Sequence, residues 1–282
     1  MNKLNLEKSK SIHFRILVLG LGGTGSHFAR TMMQIISGLY ASNDYNNKAY
    51  CDVFLADGDK VERKNFHRQL FDKDDLDSNK AVSIKERYGF YYEIETHVIS
   101  EYIKTTDMIN RIFKYKVDDE QYIPIIIGAL DNNRSRQVVD QFFYNNEYDD
   151  LIWIDAGIEG VVPYTTNKEK EFSDRTGYSG QVVIGLKWAG EVILEPVTRV
   201  YPDMLDETEE FPDAACGTTV VNHPQRLITN QMAAHSLASV LNLILHDKMI
   251  YVHKIVFNNQ TMCMESVAIS NNQNQHFLKL MK

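Results

Sequence analysis

The sequence predicts an α/β fold with a doubly wound, mostly parallel sheet, and three observations carry that prediction. First, an apolar run, Ile16-Leu17-Val18-Leu19, leads into the glycine turn Gly20-Leu21-Gly22-Gly23-Thr24-Gly25-Ser26. That turn opens a helical pattern of Phe28, Met32, Ile35, Ile36 and Leu39. Second, apolar runs at residues 53–56, 123–127 and 151–155 alternate with helix-period stretches, as parallel strands joined by crossover helices require. Third, the alternation stops after residue 155, where residues 181–186 and 191–194 flank a turn containing Gly190 and read as an antiparallel hairpin. The expected architecture is a Rossmann-like sheet with a GxGxxG nucleotide loop, then an antiparallel extension and a late long helix.

Composition sets outer limits. The 282 residues suffice for one large domain with insertions, and 44% hydrophobic and 24% charged residues are those of an ordinary globular protein. No apolar stretch reaches membrane-spanning length, and residues 1–10 lack the apolar core of a secretory signal, so a cytoplasmic protein is expected. Cys51, Cys216 and Cys263 form no C-x-x-C pair, so no zinc site built from thiolates is expected and any cysteine chemistry rests on one thiol. A net charge of −8 with no basic block counts against nucleic acid or an anionic membrane as partner.

Along the chain, Gly20, Gly22 and Gly25 have the G-x-G-x-x-G spacing of a turn that lets backbone approach a phosphate at a helix N-terminus. Such turns also serve packing alone, so the residues downstream must decide. The helix after the turn is expected to end at Gly38, with a polar loop over residues 41–47. The second strand, residues 53–56, ends at Asp57, where a carboxylate accepts hydrogen bonds from ribose hydroxyls. The polar stretch from Asp57 to Gln69 suits nucleoside-triphosphate chemistry better than hydride transfer, because Arg68 and, further on, Lys80 supply cations for charge developing on phosphate. Lys80 begins a helical pattern. A third strand is expected over residues 90–100, a helix over 105–115, and a buried strand over 123–127 that places Asp131 at a ligand-side strand end, where it suits magnesium. A helix over 132–146 and the strand 151–155 follow. Residues 201–213 are rich in Asp and Glu and read as an acidic loop, with Cys216 directly after it. A long helix over about 224–246 and a strand pair, 251–257 with 262–269, close the chain.

In this order the residues resemble the ThiF/MoeB family, the adenylating core shared with ubiquitin-activating enzymes, from about residue 13 to 270. The motifs are Gly20 to Ser26; Asp57, Asp59 and Val61; Asn65, Arg68 and Gln69; Lys80; and Asp131 with Asn132. The resemblance implies one adenylation domain over 1–282, with a nucleotide-binding half over 1–155 and a half over 156–282 for carrier-protein binding and dimerisation, crossed by a loop at about 201–221. It implies ATP and magnesium as cofactors, and transfer of AMP to the C-terminal carboxylate of a ubiquitin-like or sulfur-carrier-like protein, with a conjugating enzyme as a further partner. By the same resemblance Gly20, Gly22, Gly23 and Gly25 cradle the nucleotide and Asp57 holds the ribose. Asn65, Arg68 and Lys80 contact phosphates, Asp59, Gln69 and Asn132 complete the nucleotide site, and Asp131 holds magnesium. The paired C-x-x-C motifs of many members are absent, so no zinc is expected, and Arg15 stands too close to the first strand to act as an N-terminal arginine reaching a partner's ATP. Asp155-Ala156-Gly157 and residues 179–185 look like the PRTRC-type bacterial subgroup.

The placement of Cys216 resembles the catalytic cysteine of the compact ufmylation-pathway activating enzyme, which would make it the nucleophile that takes the carrier as a thioester. A nearby helix N-terminus would favour its thiolate while the neighbouring acids oppose it. A small packed cysteine is the simpler alternative. Competing readings of the whole chain are a relative that adenylates a small-molecule or tRNA-linked carboxylate, a catalytically degenerate subunit that pairs with an active one, and a generic NAD oxidoreductase. A homodimer is expected, because the late helix and hairpin carry more apolar surface than one sheet face needs.

Overall fold

A computed structural model of the chain describes residues 2–42, 48–114, 121–206, 211 and 224–281. After a two-residue strand, β1 (Leu4–Asn5), the chain enters β2 (Ser11–Leu19), and the glycine turn passes it into α1 (Gly23–Ser42). The chain then runs through β3 (Lys48–Ala56), α2 (Lys80–Ile84), β4 (Thr96–Ile99), α3 (Thr106–Phe113), β5 (Gln121–Gly128), α4 (Asn133–Asn145) and β6 (Leu151–Ile158). These strands lie in the order β4-β3-β2-β5-β6, all parallel. The chain winds outward from β2 to β4, returns to the other side of β2 at β5, and so creates a switch point between β2 and β5. Open α/β sheets bind ligands at such a point, beyond the carboxyl ends of the strands.

The continuous apolar runs follow from burial on both faces. Side chains alternate across a strand, so Ile16, Val18, Ile125, Ile127, Ile152 and Ile154 join one core with Phe28, Met32 and Ile36 of α1. Leu17, Leu19, Ile126 and Trp153 join a second core on the opposite face with Ile109 and Phe113 of α3 and Val138 and Phe142 of α4. Trp153 is packed in that core and does not reach the ligand side.

Beyond β6 the sheet turns antiparallel. After α5 (Asn167–Ser173), β7 (Ser179–Trp188) pairs with β6 and with β8 (Glu191–Leu194), the expected hairpin. The short α6 (Val197–Val200) precedes α7 (Leu227–Asn242), which lies along α1; then come β9 (Met249–Ile250), which pairs with β1, and β10 (Val252–Asn258) and β11 (Cys263–Ala268), which extend the sheet from β7. α8 (Asn271–Leu280) closes the chain with Phe277 buried against Trp188.

Several local expectations change. Gly38 does not end its helix: it does not take the positive φ of a C-cap glycine, and α1 continues to Ser42 with Ile36 and Leu39 buried. Residues 41–42, expected in the polar loop, belong to α1, and β3 begins at Lys48, five residues before the expected strand. The third strand occupies only Thr96–Ile99, since the helical turn of residues 85–89 runs on to residue 91 and a turn with Glu93 at φ +57° leads into the strand. The long helix begins at Leu227, two residues after Gln225, and ends in a π-helical turn over Leu243–Asp247. Of the apolar surface behind the expected homodimer, Leu237 and Leu241 of α7 and Val182, Ile184 and Leu186 of β7 are buried in the chain's own core, while Leu227 and Ile228 at the start of α7 are exposed. Cys216 and most of the crossover loop, residues 207–210 and 212–223, lie outside the described residues.

Candidate active site

The carboxyl ends of β2, β3, β5 and β6 open into one cleft of about 1230 Å³. The glycine turn forms its floor. Gly20, at φ +85°, donates its N–H to Ala56 O at 3.0 Å, while Ala129 N–H donates to Leu19 O at 2.9 Å, so the turn is stitched to the strands on both sides. A Cβ at Gly20 would stand 2.6 Å from Ala129 O, and one at Gly23 would stand 2.3 Å from Asn230 Oδ1 of α7. Those glycines are demanded by the protein's own packing. Gly25 is likewise an internal requirement, since its Cβ would fall 1.9 Å from Gly20 O, and of the predicted glycines it alone does not border the cleft. Gly22 differs: a Cβ there would meet only Gln69 Nε2, at an ordinary 3.8 Å. Its missing side chain leaves open space over the N-terminus of α1, where backbone N–H groups and the helix dipole favour an anion.

Asp57 is buried at the end of β3, and both its oxygens are engaged: Oδ2 accepts from Leu21 N at 2.6 Å and Oδ1 from Asp59 N at 2.8 Å. It therefore clamps the glycine turn to the following loop in addition to facing the cleft. Burial pushes its carboxyl up to about 6, against the pull of Lys80. Asn79 caps α2, accepting from Ala81 N and Val82 N, and its Nδ2 donates to the carbonyls of Asp57 and Asp59. That cap sets Lys80 at the first position of α2, buried, with Nζ donating to Asp59 Oδ2 at 2.7 Å. Burial acts to raise the Asp59 carboxyl, but the Lys80 charge and hydrogen bonds from Lys80 and Tyr102 outweigh it and hold Asp59 below its ordinary value.

The next segment is anchored from α1, where Ser26 Oγ accepts from Leu70 N at 3.2 Å. Asn65 is buried, with Oδ1 taken by the Glu62 N–H at 2.7 Å. Arg68 lines the cleft and donates from Nη1 to Gln225 Oε1 at 2.7 Å, tying this segment to the entry of α7. Gln69 is buried beside Gly22, and its Oε1 has no partner. On the other side of the switch point, Asp131 is exposed in the cleft and Asn132 caps α4 by accepting from Ser135 N at 2.8 Å.

The structure thus gathers Gly20, Gly22, Gly23, Asp57, Asp59, Asn65, Arg68, Gln69, Lys80, Asp131 and Asn132 around one cleft. Sequence reasoning missed Tyr102, Arg136 and Asn230, which also line it. Arg136 is a buried weld: Nε donates to Asp155 Oδ1 at 2.9 Å, Nη1 to Asn133 Oδ1 at 3.2 Å, and Nη2 to Leu130 O at 2.8 Å and Ala156 O at 3.3 Å. Burial pushes the Asp155 carboxyl up and the Arg136 charge opposes it. Asp155 is therefore a support beneath the cleft, and an acid directly after the apolar run 151–154, inside β6, was the signal that could have pointed to a buried base such as Arg136, one helical turn into α4.

The donor set fits a nucleotide. An uncovered helix N-terminus, two cations from separate segments and an orphaned buried oxygen on Gln69 face the same space. Five acids, Asp57, Asp59, Glu62, Asp131 and Glu159, stand against four bases, Lys64, Arg68, Lys80 and Arg136, so the described lining is not net positive. Among the described residues no three His, Cys, Asp or Glu side chains group as a metal site. A magnesium ion at Asp131 would accordingly draw its other ligands from phosphate and water, its ordinary mode.

Comparisons with known proteins bear on the fold. A crystal structure of PaaA superposes with a TM-score of 0.55 at 17% identity, covering 94% of this chain and 65% of that one. Escherichia coli MccB solved with ATP gives 0.54 at 16% identity over 94% of this chain and 65% of that one. The same enzyme with AMPCPP and MccA gives 0.54 at 15% over 91% and 64%. This chain therefore spans just under two thirds of the length of the PaaA and MccB chains, and the likeness is one of fold. Comparison with curated sequences finds no match. The family model described as "ThiF family" matches residues 4–277, nearly the whole chain, and the chain belongs to the ThiF family.

Proposed function

We propose that this protein is an adenylyltransferase that transfers AMP from ATP to the C-terminal carboxylate of a protein or peptide, a ubiquitin-like protein being the substrate we favour. The observation that carries the reading is the convergence of the Gly22 gap, Lys80 and Arg68 on one cleft at the switch point. The MccB structures solved with ATP, and with AMPCPP and MccA, add support. The carboxylate oxygen attacks the α-phosphorus, the bond to the β-phosphate bridge breaks, and pyrophosphate leaves with the electron pair, so no proton need move. What the site must supply is placement and charge compensation. In this reading the N-terminus of α1 holds phosphate over Gly22, and Lys80 and Arg68 meet the charge growing toward pyrophosphate. The Nδ2 of Asn65, whose oxygen is already spent, serves as a phosphate donor. Asp57 receives ribose hydroxyls on the lone pairs its backbone partners leave free, and Asp131 carries magnesium, which supplies the cation that the near-balanced lining lacks.

The cleft continues past the nucleotide half along the ends of β6 and β7, where Gly157, Ser179 and Gln181 line it. That extension gives an incoming chain end room to reach the α-phosphate. Cys216 is the nucleophile we propose for a second step, in which its thiolate attacks the acyl-adenylate and AMP leaves. The test is exchange of labelled pyrophosphate into ATP with magnesium and a carrier. Arg68→Ala and Asp131→Ala should each lose about a hundredfold to a thousandfold, the cost of one preorganised charge, whereas Cys216→Ala should keep exchange and fail to form a carrier adduct that reductant cleaves. Full exchange in both charge variants would overturn the assignment of the site, and a reductant-sensitive adduct in Cys216→Ala would remove the second step.

A further inference from the structure

We propose that Tyr102 is the positioning residue of the phosphate-facing lysine, acting through Asp59; the inference rests on the nucleotide reading above. Tyr102 follows β4, three residues after Ile99, and reaches back across the mouth of β3. Its ring lies where a side chain on Gly58 would be, since a Cβ at Gly58 would stand 2.5 Å from the ring carbons. Its hydroxyl donates to Asp59 Oδ1, and the other oxygen of the same carboxylate, Oδ2, accepts from Lys80 Nζ at 2.7 Å. Asp59 is also fixed through its backbone, whose carbonyl accepts from Lys80 N at 3.0 Å and from Asn79 Nδ2 at 3.1 Å. The carboxylate is thus held from both ends, and Tyr102, Asp59 and Lys80 all face the cleft.

The arrangement answers a specific difficulty. An ammonium on a four-carbon stem has many rotamers, and a preorganised charge must not search for its place during the reaction. Asp59 alone could hold Lys80, but a carboxylate with one free oxygen can rotate and exchange which oxygen it offers. Tyr102 occupies Oδ1 and fixes the plane. Its hydrogen bond also draws charge from Asp59, whose side chain is 46% exposed toward the space a triphosphate would occupy. With the tyrosine hydroxyl removed, Asp59 would grip Lys80 more tightly and repel phosphate more strongly, and both effects weaken the triphosphate specifically. Adenosine and the first phosphate are held elsewhere, by Asp57 and the glycine turn. The contribution of Tyr102 should therefore grow with the number of phosphates on the ligand.

Tyr102→Phe keeps the ring against Gly58 and removes only the oxygen, so folding is expected to survive. Calorimetric titration with magnesium, of the wild type and of Tyr102→Phe, should show ATP affinity falling by about tenfold, while AMP affinity changes by less than about twofold. A tenfold change corresponds to about 1.4 kcal/mol. In an Asp59→Asn background Tyr102→Phe should have little further effect on ATP affinity, as expected when the tyrosine acts only through the Asp59 carboxylate. Unequal affinities of that pattern with an unchanged melting midpoint support the proposal. Equal ATP affinity in wild type and Tyr102→Phe overturns it while leaving the nucleotide site standing, as does an equal loss for AMP and ATP, which would make Tyr102 a structural support. Failure of the folded wild type to bind ATP at all overturns the nucleotide reading and the role of Tyr102 with it.

Discussion

Asp57 carries two demands that oppose each other. Its oxygens cap the N–H groups of Leu21 and Asp59, which holds the glycine turn in shape, yet it is 7% exposed and burial pushes its carboxyl up to about 6 from 3.8. A carboxyl raised in the folded state binds more protons there than in the unfolded chain. Its contribution is therefore most favourable below about pH 4 and is lost as pH rises through about 6, with a cost of about 3 kcal/mol for holding the charge at neutral pH. Asp57→Asn should flatten this component. The measurement is denaturant unfolding of both proteins at pH 4.5 and 7, and the wild type minus variant difference should shift against the wild type at the higher pH. Parallel pH profiles would mean that Asp57 does not titrate in this window. Ribose hydroxyls donating to the ionised form would recover part of that cost, which links nucleotide affinity to the same pH window. Position in the sequence made Asp57 visible as a strand-end acid, but its role as a clamp was not visible, because the Leu21 N–H it caps lies 36 residues earlier in the chain.

At the scale of elements, legibility followed local periodicity. β2, α1, β5, α4 and β6 were readable because each is long enough to show its period and each is bounded by glycine, asparagine or a strand-end acid. β1, β9, α5 and α8 were not, since two-residue strands have no period and α5 and α8 are short, mostly polar helices whose main signals are capping boxes at Thr166 and Ser270. The same division applies to the site. Residues carried by the glycine turn, the Asn65 to Gln69 segment and the start of α2 were found, while Tyr102 and Asn230 were missed because they reach the cleft from segments with no motif of their own, and Arg136 because it lies beyond the Asp131 and Asn132 motif, inside α4. The glycine turn also separates packing from function in a way no sequence pattern could. Gly20, Gly23 and Gly25 have protein atoms where a side chain would go, and Gly22 does not. Gly22→Ala should accordingly keep the melting midpoint within a few degrees of wild type and raise the dissociation constant for ATP by about tenfold or more, because the added methyl occupies the approach to the N-terminus of α1. Gly23→Ala should destabilise the protein outright by colliding with Asn230. Calorimetry and thermal unfolding of the two variants check this, and unaltered ATP binding in Gly22→Ala would place the phosphate elsewhere.

The described residues form two cores on one large sheet, with β1 and β9 as a separate pair, and the large sheet is finished unequally at its two ends. At the β4 end the strand is short and residues 85–89 pack beside it. At the other end all six residues of β11, Cys263-Met264-Glu265-Ser266-Val267-Ala268, are exposed, with Met264 at 49% and Val267 at 46%, and Met262 in the preceding turn at 75%. The outer edge of β11 has no strand beside it among the described residues. Exposed edges are usually blunted by lysine, proline or a bulge, because their free N–H and C=O groups recruit another strand. β11 contains neither lysine nor proline, and the bulge in the pair falls at Val252 and Lys254, opposite its far end. The occupant we expect is a second copy of β11, paired antiparallel across a two-fold axis so that the sheet continues between two chains and Met264 and Val267 are covered. A homodimer formed in this way would use the sheet edge. Light scattering should give about twice the chain mass at micromolar concentration for the wild type and the single-chain mass for Val267→Lys, which places a charge on the edge without touching the buried cores. A wild type that remains a single chain at high micromolar concentration would refute the pairing, and so would a dimer that Val267→Lys leaves intact.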